Sequence, residues 1–146
     1  MNSKLISIKP IGGVGQIGSN MTLISYHNHR ILIDAGILFP SEDFFDIDYL
    51  IPDLSTIDQI DTLIITHGHE DHIGAVFNVI KKFKDIKIFA PKFAAALIRK
   101  KLEFNQSPYP VNIFDDNSIL TFSDLEIHAI HVNHSIPDTK GLFLSL

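Results

Sequence analysis

The chain's 146 residues, 45% of them hydrophobic and 20% charged, fit one globular domain and exclude a disordered, collagen-like or disulfide-stapled protein. A formal net charge of −5 argues against holding nucleic acid by charge alone, and the lack of cysteine removes disulfides, thiolate metal sites and cysteine nucleophiles together. No apolar run is long enough to span a bilayer, and Met1 to Ile11 has neither the apolar core nor the cleavage site of a secretory signal, so cytoplasmic residence is expected.

From Leu5 to Ile8 and from Met21 to Tyr26 the residues suit strands, and His27, Asn28 and His29 predict a short turn into a further strand from Ile31 to Asp34. These segments read as a small antiparallel sheet. Between the first two, Gly13, Gly15 and Gly18 satisfy GxGxxG, with Asp34 at nearly the spacing of a ribose-binding acid. A dinucleotide site needs a crossover helix after the last glycine, whereas strand-like residues and a tight turn follow. There is no GK[ST], so a phosphate-cradling P-loop is excluded. Asp61 to Thr66 (DTLIIT) is a buried strand by its continuous apolar run, and Ile73, Val76, Phe77 and Ile80 then recur at helical spacing, so a strand feeds a helix through HGHEDH. Ile86 to Phe89 reads as the next strand, and Pro91 opens a helix continued by Phe93, Ala96, Leu97 and Lys100.

Short strands return at Val111 to Phe114, Ile119 to Phe122 and Leu125 to Val132, separated by the turn formers Asp115, Asp116, Asn117 and Ser123, Asp124. Gly141 to Leu146 (GLFLSL) is an apolar strand with no partner in sequence, an aggregation liability that raises the expectation of a truncated domain. Charge is unevenly spread, with eight acids and no base from Asp34 to Asp61, and eight bases and one acid, Asp85, from Lys81 to Lys101. The basic stretch reads as a solvated helical face, with an RNA-backbone patch as its alternative.

Chemistry concentrates in THGHEDH, where His67, His69, Asp71 and His72 follow a buried strand. Neutral imidazole and carboxylate ligate zinc and similar divalent ions, and a loop at a strand's end can turn several of them toward one point. The alternative, a polar surface turn, would leave several imidazoles without a structural purpose. The chain offers no serine-centred elbow motif either.

HxHxDH, here His67, His69, Asp71 and His72, is the signature of the metallo-beta-lactamase superfamily of metallohydrolases. GGVGQIGSNM (Gly12 to Met21), DAGILFP (Asp34 to Pro40), IDYLIPD (Ile47 to Asp53), ITHGHEDHIGA (Ile65 to Ala75) and NHSIPD (Asn133 to Asp138) further resemble the ribonuclease J family of beta-CASP nucleases. The blocks occur in the family's order along nearly the whole chain, with Gln16 standing where Glu is usual. The resemblance implies an α+β fold, the metallo-beta-lactamase αβ/βα sandwich, with residues 1–146 as its N-terminal part, stopping after the HSxPD motif. In the family pattern the Asp that bridges two metals, the final His, the beta-CASP insertion and the C-terminal domain would fall beyond Leu146.

Carried over residue by residue, the resemblance puts His67, His69 and His134 on a first zinc and Asp71 and His72 on a second, with manganese also suited to such ligands. Asp71, His72 and His134 are the catalytic candidates. Asp34 is expected to accept the free N–H of a ligating imidazole, or else to cap the turn at Ala35 and Gly36. His128 and His131 read as strand residues, His27 and His29 as hairpin-turn residues. The activity implied is RNA decay and maturation, ribosomal RNA processing included, by 5′-to-3′ exonuclease and endonuclease action, a metal-activated hydroxide attacking the phosphodiester. RNA would be the substrate, no membrane is implied, and the full-length protein would form homo- or hetero-oligomers. A small-molecule metallohydrolase acting on a thioester or lactone, and an inactive truncated fragment, remain as alternatives.

Overall fold

The computed structural model describes residues 5–40 and 46–146, and its strands fall where the sequence alternates or runs apolar. β1 (Ser7–Gly12), β2 (Met21–Tyr26), β3 (His29–Ile33), β4 (Thr62–Ile64), β5 (Lys87–Ala90) and β6 (Asn112–Ile113) form a six-stranded sheet in chain order. β1 to β3 are antiparallel neighbours and β3 to β6 run parallel. β7 (Ile119–Phe122), β8 (Leu125–His131) and β9 (Lys140–Ser145) make a separate three-stranded antiparallel sheet. Helices α1 (Glu70–Ile73) and α2 (Val76–Lys82) connect β4 to β5, and α3 (Lys92–Phe104) connects β5 to β6.

Successive strand residues face opposite ways, so two cores interleave along one sequence. Leu32, Leu63 and Ile88 pack with Val76, Val79 and Ile98 between the large sheet and the helices. Their neighbours Ile31, Ile64 and Phe89 turn instead toward Leu125 and Ile127, between the two sheets, and among the described residues no helix contributes to that second core. A central strand buried on both faces is apolar on both, which is why Leu63 to Ile65 reads as a run and not as an alternation.

Several elements depart from the sequence expectation. β1 lies a few residues later than Leu5 to Ile8 and carries Pro10, tolerated because β1 is an edge strand. His29 pairs with Tyr26 and belongs to β3, leaving His27 (φ 48°) and Asn28 as the turn. The helix expected after HGHEDH is broken at Gly74 and Ala75. Ala75 gives its N–H to the Ala35 carbonyl at 2.8 Å, and a Cβ on Gly74 would meet the Ile37 side chain at 2.6 Å, so the break seats the segment after β3.

The GxGxxG residues form a loop between antiparallel β1 and β2, with no crossover helix. The final strand does have a partner, since β9 pairs with β8 from Lys140 opposite His131 to Ser145 opposite Glu126. Its pairing was hidden because the intervening residues 132–139 form a long connection and not a tight turn. Lys81, Lys82, Lys84, Lys87, Lys92 and Lys100 are solvent-exposed, but Lys84 and Lys87 lie off the helices. Among the described residues no helix is long and apolar enough to cross a membrane.

Candidate metal centre

The chemistry gathers at the C-terminal ends of the parallel strands, where side chains converge beyond the hydrogen-bonded ladder. Asp34 follows β3, Thr66 and His67 follow β4, and His134 lies in the β8–β9 connection. Asp34 adopts φ 61°, a left-handed conformation that aspartate tolerates better than most residues. Lys140, at the start of β9, donates its N–H to the Thr66 carbonyl at 3.0 Å and so ties the connection carrying His134 to the histidine tract.

Asp71 and His72 sit on α1 and not on a loop. So short a helix pairs the Glu70 carbonyl with the Gly74 N–H but leaves later carbonyls, and the second lone pair of Glu70 O, for other partners. They are taken up by the loops beside it: Ala35 N–H donates to His72 O (2.7 Å), Asn20 N–H to Asp71 O (2.9 Å) and Ile37 N–H to Glu70 O (3.2 Å). Gly36 is required by this contact, because a Cβ there would lie 1.6 Å from the Asp71 carbonyl oxygen.

His67, His69 and His134 each present a ring nitrogen, and these atoms lie within 4.8 Å of one another. The His67 ring is centred 3.9 Å from His72, 4.9 Å from His69 and 4.7 Å from His134. His134 Nε2 and His69 Nδ1 are 3.2 Å apart. Asp71 Oδ2 and His72 Nε2 form a neighbouring pair at 3.5 Å. The Asn20 amide nitrogen faces both, at 3.0 Å from Asp71 Oδ2 and 3.2 Å from His72 Nε2.

Asp34 faces an imidazole and not the turn at Ala35 and Gly36. Its Oδ2 accepts from His72 Nδ1 at 2.7 Å and from the Thr66 hydroxyl at 2.8 Å, and its Oδ1 accepts the Thr66 backbone N–H at 2.8 Å. The Thr66 oxygen is in turn 3.0 Å from His67 Nδ1.

Burial pushes the His67 pKa down to about 4, helped by the neighbouring His72, His134 and His69 and opposed by Asp71. His67 is therefore neutral at pH 7, the form that ligates a metal. His72 moves the other way: burial lowers its pKa, but the hydrogen bond and charge of Asp34 and the charge of Asp71 outweigh it.

His67 Nε2 is buried and has no hydrogen-bond partner among the described residues. Such an atom is normally paired, and a ring nitrogen left without a partner beside further imidazoles is what a divalent cation takes up. The donor set therefore fits a metal. Beside it opens a cleft of about 430 Å³ whose lining includes Ile17, Ile37, Phe39, His69 and Asp71.

The remaining histidines take no part in the cluster. His29 Nε2 approaches Ser123, His128 Nε2 approaches Glu126, His27 approaches Asp124, and His131 is exposed on β8. Sequence reading did not single out Asn20 or Thr66. Asn20 lies inside the GGVGQIGSNM block and Thr66 inside ITHGHEDHIGA, so both belong to the motifs that carry the resemblance.

Residues 14–139 match the family described as the metallo-beta-lactamase superfamily. The chain belongs to the metallo-beta-lactamase superfamily. Within it, the chain is 41% identical to Ribonuclease J 1 of Streptococcus pyogenes serotype M3, over 95% of this chain and 27% of that protein. It is 39% identical to Ribonuclease J of Corynebacterium glutamicum, over 94% of this chain and 20% of the relative. The chain thus spans 27% or less of the length of these two relatives.

Solved structures agree on the fold. A diphosphatase of the PhnP family superposes with a TM-score of 0.71 at 15% identity, over 96% of this chain and 62% of that one. A subclass B3 metallo-beta-lactamase of Bradyrhizobium japonicum superposes with a TM-score of 0.66 at 15% identity, over 98% and 55% of the respective chains. As in that superfamily, the mixed α+β arrangement and the histidine cluster imply binding of a divalent metal.

Proposed function

We propose that the chain is the metal-binding N-terminal part of a zinc-dependent ribonuclease of the ribonuclease J type. The whole protein would cleave RNA phosphodiesters in the cytoplasm, as 5′-to-3′ exonuclease and endonuclease, in RNA decay and maturation, and would work as an oligomer. The observation that carries the metal reading is the buried, unpartnered Nε2 of a neutral His67 beside His69 and His134. Similarity to relatives named Ribonuclease J supports the choice of RNA over a small ester.

His67, His69 and His134 would hold one ion, and Asp71 and His72 a second, with manganese as an alternative to zinc. When bound, such ions supply Lewis acidity and water of lowered pKa at neutral pH. The chain's own residues prepare the donors. Burial keeps the His67 ring neutral, and Asp34 holds His72 through Nδ1, which turns His72 Nε2 toward Asp71. Asn20 fixes the Asp71 carboxylate beside that nitrogen.

The test begins with zinc and manganese content of the purified chain beside His67→Ala and His134→Ala. Near-stoichiometric metal that both variants lose is expected, and a folded chain without metal would overturn the reading. A chimera in which this chain replaces the matching part of the Streptococcus pyogenes relative should then cleave RNA in a metal-dependent manner. Cleavage of a lactone or thioester without cleavage of RNA would favour a small-molecule hydrolase instead.

A further inference from the structure

We propose that Thr66 is a positioning residue: its hydroxyl relays the Asp34 carboxylate to His67 Nδ1 and so decides which nitrogen of His67 faces the metal. The inference rests on the metal-centre reading above. A threonine hydroxyl has one hydrogen to give and lone pairs to accept with. Its oxygen lies 2.8 Å from Asp34 Oδ2 and 3.1 Å from Asp34 Oδ1, and a carboxylate only accepts, so the hydrogen goes to Asp34. The same oxygen is 3.0 Å from His67 Nδ1 and can offer that atom only a lone pair. His67 Nδ1 must then carry the ring's proton, and the ring's lone pair is left on Nε2, the buried atom without a partner.

Thr66 Oγ1 also comes within 3.5 Å of His72 Nδ1, but that nitrogen is closer to Asp34 Oδ2, at 2.7 Å. One carboxylate thus aims two imidazoles, His72 directly and His67 through Thr66. The two belong to different ion positions in the proposed centre, so the relay holds the donors of both positions in one tautomeric arrangement. The hydroxyl does this independently of the backbone, since the Thr66 N–H makes its own bond to Asp34 Oδ1.

The experiment reads the tautomer in the metal-free chain, by long-range proton–nitrogen correlation of nitrogen-15-labelled histidine near neutral pH, and zinc affinity separately. Wild-type His67 should show a protonated Nδ1 and an unprotonated Nε2. Thr66→Val should admit the opposite tautomer and weaken zinc binding by about 10- to 100-fold, the usual effect of losing a group behind a ligating histidine. Thr66→Ser, which keeps the hydroxyl, should restore both. If Thr66→Val does not fold, Thr66→Ala removes the hydroxyl without placing a second methyl against the carboxylate. A wild-type His67 protonated at Nε2, or deletion variants unchanged in tautomer and affinity, would overturn the relay while leaving the metal centre standing. Failure of the wild-type chain to bind zinc would overturn the metal centre, and the tautomer readout would still decide the relay by itself.

Discussion

Asp34→Asn isolates the carboxylate on which the histidine tract is hung. Asp34 is 5% exposed and accepts the Thr66 N–H, the Thr66 hydroxyl and His72 Nδ1 at 2.7–2.8 Å. Asparagine keeps the shape and tolerates the left-handed φ of 61°, but it replaces one acceptor oxygen by a donor. The amide nitrogen then faces either the Thr66 backbone N–H, an obligate donor, or His72 Nδ1 and the Thr66 hydroxyl, which can receive it only by giving up the hydrogens they donate to Asp34. A hydrogen bond to a charged group contributes about 1.5–3 kcal/mol, and a buried group left unsatisfied costs about 1–3 kcal/mol, so a loss of about 2–4 kcal/mol is expected. For a chain of this length that corresponds to a Tm lower by roughly 5–15 °C. Asp34→Ala should be worse, since it removes both acceptors and adds left-handed strain of about 1–2 kcal/mol. Urea and thermal unfolding followed by circular dichroism, in chelator at neutral pH, measure both. An Asn variant within about 0.5 kcal/mol of wild type, or an Ala variant no less stable than the Asn one, would refute the reasoning.

Gly36→Ala should destabilise by about 3 kcal/mol or more and abolish metal uptake, because its Cβ would lie 1.6 Å from a backbone oxygen of α1; a stable variant with normal zinc content would contradict this. Lys140 is 3% exposed, with Nζ 2.8 Å from both Asp116 and Asp138, and Lys140→Met should lose about 1–3 kcal/mol in urea unfolding, less than for a fully buried pair because the carboxylates keep some water. Burial pushes the Asp138 carboxyl up, but the hydrogen bond and charge of Lys140 and the backbone N–H groups of Phe93 and Lys92 hold it below 3.8. The associated stability is present above that value and is lost as pH falls through the folded pKa, so Lys140→Met should shrink this acid-side loss in a pH series of urea midpoints.

In chelator, His67 should make the chain less stable as pH falls from about 6.5 toward about 4, because the unfolded chain takes up a proton that the folded one refuses. The full effect is about 3 kcal/mol. His72, whose pKa is raised, contributes with the opposite sign, so the diagnostic is the difference between wild type and His67→Gln. A difference that does not change with pH would count against the buried, neutral His67.

Periodicity and apolar runs located the strands and α3 because those elements are decided by burial, which leaves a trace at every second or every third to fourth residue. What stayed hidden was decided by contacts between distant segments. Nothing near Gly74 announces that the Ala35 carbonyl will take the Ala75 N–H and break the helix. The pairing of β9 with β8 spans a connection whose length removes the hairpin signal. Likewise HGHEDH displayed four potential ligands but not their arrangement, which depends on Asn20, Asp34 and Lys140 arriving from elsewhere in the chain. His134 could be nominated through the resemblance, whereas composition alone left it among eight histidines.

The site can also be found without the resemblance, because unfavourable features coincide there that folding alone does not require. Asp34 sits at positive φ, His67 buries a nitrogen with no partner, and four imidazole rings crowd together, His67 lying within 4.9 Å of each of the others. The unpaired nitrogen would ordinarily be removed by substitution with an apolar residue, since buried polar groups lacking partners destabilise. A buried unpaired nitrogen among crowded imidazoles, locked by backbone bonds from the loops at Asn20 and Ala35–Ile37 to α1, marks a site built for something other than stability. A divalent cation relieves the last two features together, by accepting the orphaned lone pair and by giving the crowded rings a common centre. The first is the backbone posture that places the Asp34 carboxylate between Thr66 and His72.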